Sequence, residues 1–263
     1  MSGSNLAPDM FYRYKSNVIS FEDLRKEKEV ETKPKHERKG GKVAGQSSEV
    51  YPFSKKEDIA AMINVFNKHI EDAPTPTQKK IAHRNLMLLL IGLNAFLRAS
   101  DLRTLQYSFF FDEKSDGTLE FKKFYTIMPK KTRKHKKFVK LFFNDVTKRA
   151  VMDYITKYPF DSLDDYLFAS RKGDEPITAV ALGRIIKDAA IEAGIEYNVN
   201  SHSLRKSAGY WMYRNAENQS SALVLLQNIL GHSNQATTMR YIGITTDEIE
   251  EAFDNLNLGI EFM

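Results

Sequence analysis

The spacing of apolar residues changes twice along this chain, and these changes constrain the fold more than any other feature of the sequence. Before about residue 105, and again after Asn144, apolar side chains recur every three or four residues, which is the period of an α-helix with one buried face. Three short segments between them are rich in aromatic and β-branched residues, at 109–111, 119–128 and 138–143. The pattern predicts an α+β fold that is mostly α-helical, with one small antiparallel sheet of three strands.

The helical stretches have sequence signals at their ends. Ser54 and Glu57 have the spacing of a capping box, and Pro74 and Pro76 separate this first helix from a second one at about 77–97. Ser100 is expected to cap a short third helix. After the sheet, helices are predicted to begin at about 144 and 178 and to span about 203–215, 222–230 and 235–241, with a last one from about 245.

The charge distribution favours a polyanionic partner. The net charge is +5, yet the residues after Arg240 include six carboxylates and neither Lys nor Arg. Between 120 and 140, nine Lys or Arg side chains accompany a single acid, Glu120. A basic body with a separate acidic tail is typical of a nucleic-acid-binding protein, although an ordinary solvated surface has the same composition.

The chain is expected to have two parts. Residues 1–50 lack apolar periodicity and combine basic residues with glycines, so we predict a flexible basic N-terminal arm or linker, followed by a folded domain at 51–263. The sequence contains no cysteine, and its longest apolar run, 86–97, is interrupted by Asn94 and too short to span a bilayer. We therefore expect a cytoplasmic protein that does not bind membranes.

Three short motifs carry more specific information about the chemistry. The segment S-H-S-L-R at 201–205 precedes L-G-H-S-N at 230–234, and Tyr241 follows nine residues after His232. Arg98 lies upstream in F-L-R-A-S-D-L-R, at 96–103. In this order and at these spacings the motifs resemble those of the tyrosine recombinase (phage integrase) family, and the resemblance covers roughly residues 51–245.

The resemblance implies a catalytic domain that cuts and rejoins DNA through a 3′-phosphotyrosine intermediate. The implied catalytic residues are Arg98, Lys131, His202, Arg205, His232 and Tyr241. A phosphodiester is negatively charged and gains charge in its transition state, so the reaction requires fixed positive charge, a nucleophile and a proton donor. Arg98 and Arg205 would bracket the phosphate, His202 would accept the proton of Tyr241, and His232 would donate a hydrogen bond to the phosphate. Because side chains supply all of this, no metal or other cofactor is expected.

The family keeps its general acid, a lysine, in a β-hairpin. Lys131 precedes Thr132 as in the family, so we expect Lys131 to protonate the leaving 5′ oxygen, with another lysine of the hairpin as the alternative. The neighbouring basic residues are expected to contact the DNA backbone whichever lysine reacts; they are Lys130, Arg133, Lys134, Lys136 and Lys137. Asp101, three residues after Arg98, is expected to orient a basic side chain rather than to react.

The acidic C-terminal segment, 245–263, is predicted to form a helix with Ile249, Phe253 and Leu256 on one face. In the family such a helix docks on a neighbouring subunit, which implies a homo-oligomer on DNA, a tetramer. Docking back on its own domain is the alternative. The other implied partners are double-stranded DNA, at the nucleoid, and accessory DNA-bending proteins.

The sequence therefore predicts a site-specific DNA recombinase or integrase that acts on paired duplexes through a Holliday junction. One alternative shares the chemistry, namely a type IB topoisomerase-like enzyme that nicks, swivels and reseals one duplex. Another alternative is a catalytically idle DNA-binding protein with the same fold. A binding protein has no need of Tyr241, so the complete residue set favours the enzyme.

Overall fold

A computed structural model of the chain describes residues 18–20, 49–127, 138–171, 175–244, 248, 249 and 253. Within these ranges the helices are α1 (Lys56–Glu71), α2 (Pro76–Asn94), α3 (Ala99–Leu102), α4 (Asp145–Lys157), α5 (Ala179–Glu192), α6 (Ser201–Arg214), α7 (Gln219–Leu230) and α8 (Gln235–Ile242). The strands are β1 (Val18–Ser20), β2 (Phe111–Glu113), β3 (Thr118–Phe121), β4 (Phe124–Ile127) and β5 (Val139–Phe142). A mostly helical fold with a small antiparallel sheet is thus confirmed.

The arrangement of the strands differs from the single three-stranded sheet that the sequence predicts. β3 lies between β1 and β2 in one antiparallel sheet, whereas β4 and β5 pair with each other in a second. The predicted strand 119–128 is divided into β3 and β4. Phe121 of β3 pairs with Phe111, the first residue of β2, so a longer β3 would lie beside the 3-10 turn at Tyr107–Phe109 rather than beside a strand. The chain changes partners at this point: Lys122 N–H still donates to Phe110 O, but Lys123 O accepts from Phe143 N–H.

Most helices begin where the sequence places them, but two predicted caps are wrong. Ser54 does not cap α1, whose N-cap residue, Lys55, makes no side-chain cap bond; acidic side chains in the first turn favour that end instead. Ser100 lies inside α3, and Arg98 occupies the N-cap position with an extended backbone. α4 and α5 begin as predicted and are capped by the side chains of Asn144 and Thr178.

The buried apolar side chains form two clusters. The first, which we call the main core, contains apolar side chains from helices α1, α2, α3, α4 and α5 and from strands β2 and β3. It also includes Leu204 of α6. The second, the C-terminal core, lies among α6, α7 and α8 and contains Tyr210, Tyr213, Leu223, Leu226, Leu230, Ile242 and Ile244. α6 therefore packs on both cores, and it carries two of the expected catalytic residues.

Two glycines allow α6 to pack closely on its neighbours. A Cβ atom on Gly92 of α2 would lie 2.5 Å from Leu204 Cδ1, and one on Gly209 of α6 would lie 2.6 Å from Ile242 Cγ2 of α8. Real Cβ atoms do not approach other atoms so closely, so a larger residue at either position would force the neighbouring side chain to shift. These contacts fix the distances from α6 to α2 and from α6 to α8.

The two ends of the chain are described only in part. Of the predicted arm, 1–50, Val18–Ser20 forms β1 and Glu49 and Val50 lead into α1, while the rest lies outside the described residues. Of the predicted C-terminal helix, residues 248, 249 and 253 are helical. No helix in the part of the chain that the structure describes is long and apolar enough to cross a membrane.

Candidate active site

Arg98 is placed by a tight turn after α2. The helix ends at Asn94, three residues earlier than the sequence suggests, and Phe96 adopts a left-handed backbone with φ 54°. For a residue other than glycine this conformation costs on the order of 1–2 kcal/mol. The side chain of Phe96 packs against the C-terminal core, and the next residue, Leu97, is buried in the main core. The turn thus leaves Arg98 between the two cores.

His202 and Arg205 lie on the first turn and a half of α6. Asn200 caps this helix, because its side chain accepts a hydrogen bond from His202 N–H and its own N–H donates to Ser203 Oγ. A separation of three residues places His202 and Arg205 on one face of the helix. The His202 side chain is partly open to solvent, whereas Arg205 is only 5% exposed.

His232 and Tyr241 come from the end of α7 and the last turn of α8. Gly231 ends α7 with φ 71°, and the side chain of Asn234 caps α8 two residues after His232. The His232 and Tyr241 rings meet edge to face, with 5.0 Å between their centroids. The tyrosine expected to be the nucleophile therefore contacts one of the expected catalytic histidines.

The two arginines converge on a single backbone oxygen. Arg205 Nη2 donates to Leu230 O at 3.1 Å, and Arg98 Nη2 donates to the same oxygen at 3.4 Å. Two like charges are thus held side by side at the C-terminus of α7, where the helix dipole is negative. Arg205 Nε is also buried, and no described residue accepts a hydrogen bond from it. The pair of guanidinium groups can bind an anion through two of its oxygens, as a phosphate allows.

Burial weakens the charged state of Arg205 without removing it. Loss of water lowers the pKa of Arg205 to about 10; nearby Tyr241 and Asp101 oppose the shift, and the charge of Arg98 adds to it. Arg205 therefore remains charged near neutral pH. Asp101 is itself buried, and its charge favours the Arg205 cation; its role in orienting a basic side chain stays a prediction.

The electrostatics of the remaining groups set which of them carry a proton at neutral pH. Burial raises the pKa of Tyr241 above its usual value, and the positive charges of Arg205 and Arg98 oppose that shift. Burial also lowers the pKa of His202, and the charges of Arg205, Lys206 and Arg98 lower it further. At neutral pH Tyr241 is therefore protonated and His202 is neutral, so the histidine is able to accept a proton.

His232 is oriented by a buried hydroxyl. Thr238 is fully buried, and its Oγ1 lies 3.1 Å from His232 Nδ1 and 3.4 Å from Asn234 O. The hydroxyl has one proton. With that proton on Asn234 O, Nδ1–H of His232 donates to Oγ1; with it on Nδ1, the ring proton of neutral His232 is on Nε2, where it is able to donate to an anion. Thr238 therefore supports His232, a role that a threonine at this position would not have indicated from the sequence.

The structure does not describe the expected general acid. Residues 128–137 lie outside the described ranges, and they include Lys131 and all five residues expected to contact the DNA backbone: Lys130, Arg133, Lys134, Lys136 and Lys137. The segment connects β4 to β5, which pair antiparallel. These assignments stay predictions.

Comparison with known proteins identifies the fold and the family. The sequence matches the model of the phage integrase family over residues 55–248. The chain belongs to the phage integrase family. Among its relatives, the probable integrase/recombinase YoeC of Bacillus subtilis (strain 168) is 32% identical over 170 residues, which are 65% of this chain and 83% of that protein. The tyrosine recombinase XerC of Staphylococcus saprophyticus is 28% identical over 115 residues, 43% of this chain but only 37% of the relative.

Solved structures of two recombinases share the fold. A crystal structure of XerA recombinase matches with a TM-score of 0.53 at 20% identity, over 76% of this chain and 61% of that chain. XerH site-specific recombinase, bound to a palindromic difH substrate in a post-cleavage complex, matches with a TM-score of 0.55 at 20% identity, over 80% of this chain and 54% of that chain. The chain thus spans little more than half of these recombinases.

Three features of this candidate site were not predicted from the sequence. Leu230 contributes a carbonyl, which every residue type has, so no sequence signal marks it. Phe96 contributes a backbone conformation that glycine, not phenylalanine, would predict. Lys206 Nζ lies 5.4 Å from the centroid of the Tyr241 ring; its position next to Arg205, on the face that carries His202, was the available signal.

Proposed function

We propose that this chain is a site-specific DNA recombinase that cleaves and rejoins strands through a covalent bond to Tyr241. The observation that carries the proposal is the convergence of Arg98 and Arg205 on Leu230 O, next to a tyrosine whose ring contacts His232. Double-stranded DNA is the proposed substrate, supported by the basic composition and by the DNA-bound structure of XerH. The proposed place of action is the cytoplasm, at the nucleoid.

In the proposed cleavage step, the two guanidinium groups bind the non-bridging oxygens of the scissile phosphate and His232 adds a third donor. Tyr241 Oη attacks phosphorus while its proton passes to His202. The bond to the 5′ oxygen breaks, and that oxygen takes a proton from Lys131. The product is a 3′-phosphotyrosine and a free 5′ hydroxyl. Attack by a 5′ hydroxyl from the partner duplex reverses these steps, and no external energy source is needed because the phosphodiester bond energy is stored in the enzyme–DNA bond.

The proposed assembly is a tetramer on DNA, with accessory DNA-bending proteins. Support comes from the C-terminal segment, where Ile249 is 54% exposed and Phe253 is 73% exposed. An apolar helical face that remains exposed on its own domain favours docking on a neighbouring subunit. Tyr213 Oη lies 3.3 Å from Glu248 Oε1 and ties the start of that segment to α6.

The experiment uses a DNA duplex selected for binding from fragments, with a nick just downstream of the cleavage position. The nick lets the short cleaved fragment diffuse away, so the covalent complex accumulates. We expect a protein–DNA adduct on a denaturing gel with the wild-type chain and none with Tyr241→Phe, while both bind the duplex equally. A bound duplex that gives no wild-type adduct would contradict the proposal. Relaxation of supercoiled plasmid without strand exchange would favour the topoisomerase-like alternative.

A further inference from the structure

A short extended segment before α1 runs along the helix that carries the catalytic residues. Residues 49–53, which we call the strap, are held to α6 and its N-terminal flank by five hydrogen bonds: Asn198 Nδ2 to Glu49 O (2.6 Å), Lys206 Nζ to Val50 O (2.6 Å), Tyr51 N to Asn198 O (3.0 Å), Phe53 N to Ser207 Oγ (2.7 Å) and Trp211 Nε1 to Phe53 O (2.8 Å). The Phe53 side chain is fully buried in the main core. The strap is thus a fixed part of the domain.

The strap also reaches α8 on the far side of Tyr241. Gly243, the C-cap of α8, lies so close to the strap that a Cβ atom on it would be 3.2 Å from Pro52 Cγ. Tyr241 is two residues earlier in the chain. The strap therefore contacts the end of the nucleophile's own helix as well as α6.

Lys206 connects the strap to the nucleophile. Its Nζ donates to Val50 O and lies 5.4 Å from the centroid of the Tyr241 ring. On α6 it shares a face with His202 and Arg205, and with Gly209, which Ile242 of α8 contacts. An ammonium group is strongly hydrated, so partial burial disfavours its charged form. Burial accordingly lowers the pKa of Lys206, and only Glu49 opposes that shift.

We propose that Lys206 is a positioning residue for the nucleophile, which bridges the strap and the ring of Tyr241 and so holds the phenol in line for attack. The inference rests on the proposed function of Tyr241. A cation over the face of an aromatic ring is attracted to it, and its bond to the strap carbonyl fixes where that cation lies. The strap thereby controls the rate of the cleavage step, while Lys206 itself makes no contact with the DNA.

The test compares Lys206→Met and Lys206→Arg with Lys68→Met, a matched change at an exposed lysine of α1. With the nicked duplex at saturation, we expect Lys206→Met to lower the rate constant of adduct formation about tenfold, because a small misalignment of reacting groups lowers rates strongly. The dissociation constant for DNA should stay within about twofold of wild type, since no phosphate contact is lost. Lys206→Arg should recover most of the rate, because guanidinium also lies over aromatic rings and donates to carbonyls.

A second measurement is independent of catalysis. In protein labelled with 3-fluorotyrosine, the fluorine resonance that Tyr241→Phe removes belongs to Tyr241. Lys206→Met should shift or broaden that resonance in the free protein, whereas Lys68→Met should not. Trp211→Phe, which removes the donor to Phe53 O, should change it in the same direction, and the effects of the two changes should not add because they act through one strap.

The outcomes separate this inference from the proposed function. If the wild-type chain forms no adduct, the proposed function is contradicted. The fluorine resonance of Tyr241 still decides whether Lys206 positions that residue. A wild-type rate in Lys206→Met, with an unchanged resonance, overturns the positioning role. Weaker DNA binding with a smaller salt dependence and an unchanged saturated rate makes Lys206 a phosphate contact and also overturns it. If Lys206→Met unfolds at the assay temperature, the pair Lys206→Arg and Trp211→Phe decides.

Discussion

The main core and the C-terminal core contribute different parts of the candidate active site. Arg98 follows directly from Leu97 of the main core, whereas His232 lies in the turn between α7 and α8, and Tyr241 on α8, in the region of the C-terminal core. Arg205 lies on α6, which packs on both. The two arginines and Tyr241, the proposed nucleophile, are therefore aligned only while the two cores keep their relative position. Defects in the main core should mainly reduce stability, and defects in the C-terminal core should mainly reduce the rate of cleavage.

The largest expected effect comes from the arginines at the boundary between the cores. We expect Arg98→Ala and Arg205→Ala each to lower the rate of adduct formation by about 10²–10³-fold, since each removes donors to the transition-state charge. Only Arg205→Ala should also lower the thermal unfolding temperature clearly, because Arg205 is buried and Arg98 is half-buried. Single-turnover cleavage and thermal unfolding of both variants test this. An adduct rate within tenfold of wild type in Arg205→Ala would contradict the role of the pair.

The two close-packed glycines should separate stability from alignment. In Gly209→Ala the added methyl group would press on Ile242 beside Tyr241, so we expect adduct formation to slow about 10- to 100-fold. In Gly92→Ala the methyl group would press on Leu204 in the main core, so the larger effect should be a loss of about 1–3 kcal/mol of unfolding free energy.

Gly183 of α5 is the matched control for these changes. A Cβ atom on Gly183 would meet nothing within 4 Å. Because alanine favours the helix, Gly183→Ala should raise the unfolding free energy by about 0.5–1 kcal/mol and leave the cleavage rate unchanged. Equal rate losses in the Gly92 and Gly209 variants would show that the two cores do not divide these tasks.

A smaller effect is expected from Thr238, which lies within the C-terminal core region and bonds to His232. Thr238→Val keeps the shape but removes the hydroxyl, so the histidine loses a hydrogen bond of about 1–1.5 kcal/mol and the rate should fall about tenfold. The neighbouring Thr237→Val is the control, because the Thr237 side chain is exposed. Saturated adduct rates of the two variants are compared; similar losses in both would contradict a specific role for Thr238.

The smallest effect is a dependence of the rate on pH. His202 must be neutral to accept a proton, and its pKa lies below the usual value of about 6.5. We therefore expect adduct formation at subsaturating DNA, which reports groups of the free protein, to be constant above about pH 7 and to fall only in more acidic solution. Tyr241, with its raised pKa, should add no inflection below about pH 10. An acidic limb centred above pH 7, or one that persists in His202→Asn, would exclude His202 as the base.

Most of the helices could be predicted from the sequence, because they depend on local spacing. The candidate site residues were named from motifs that are also local, and their roles stay predictions. The boundary at Asn94 was missed because the turn at Phe96 is stabilised by packing between two cores, which no local pattern contains. The division of β3 from β4 was missed for a related reason. The division depends on where the partner strand β2 begins, and that position is set by the 3-10 turn directly before β2 rather than by the residues of β3 and β4.

The candidate site shows the same limit. His202, Arg205, His232 and Tyr241 stand in motifs that a reader of the sequence can find. The relation between Arg205 and Arg98, more than a hundred residues apart, becomes visible only in three dimensions. Lys206 was overlooked because a lysine in a basic chain carries little information until its Nζ is found 2.6 Å from Val50 O and near Tyr241.

The oxygen that accepts hydrogen bonds from both Arg98 and Arg205 belongs to the main chain, so it does not depend on the side chain at its position. No substitution at position 230 is able to delete that carbonyl, so any apolar residue that fits the buried position preserves the arrangement. Insertion or deletion within α7, or a residue at position 231 that resists φ 71°, would carry the helix end elsewhere and separate the arginines. The arrangement of the two arginines therefore depends on where α7 stops rather than on which side chain the helix ends with.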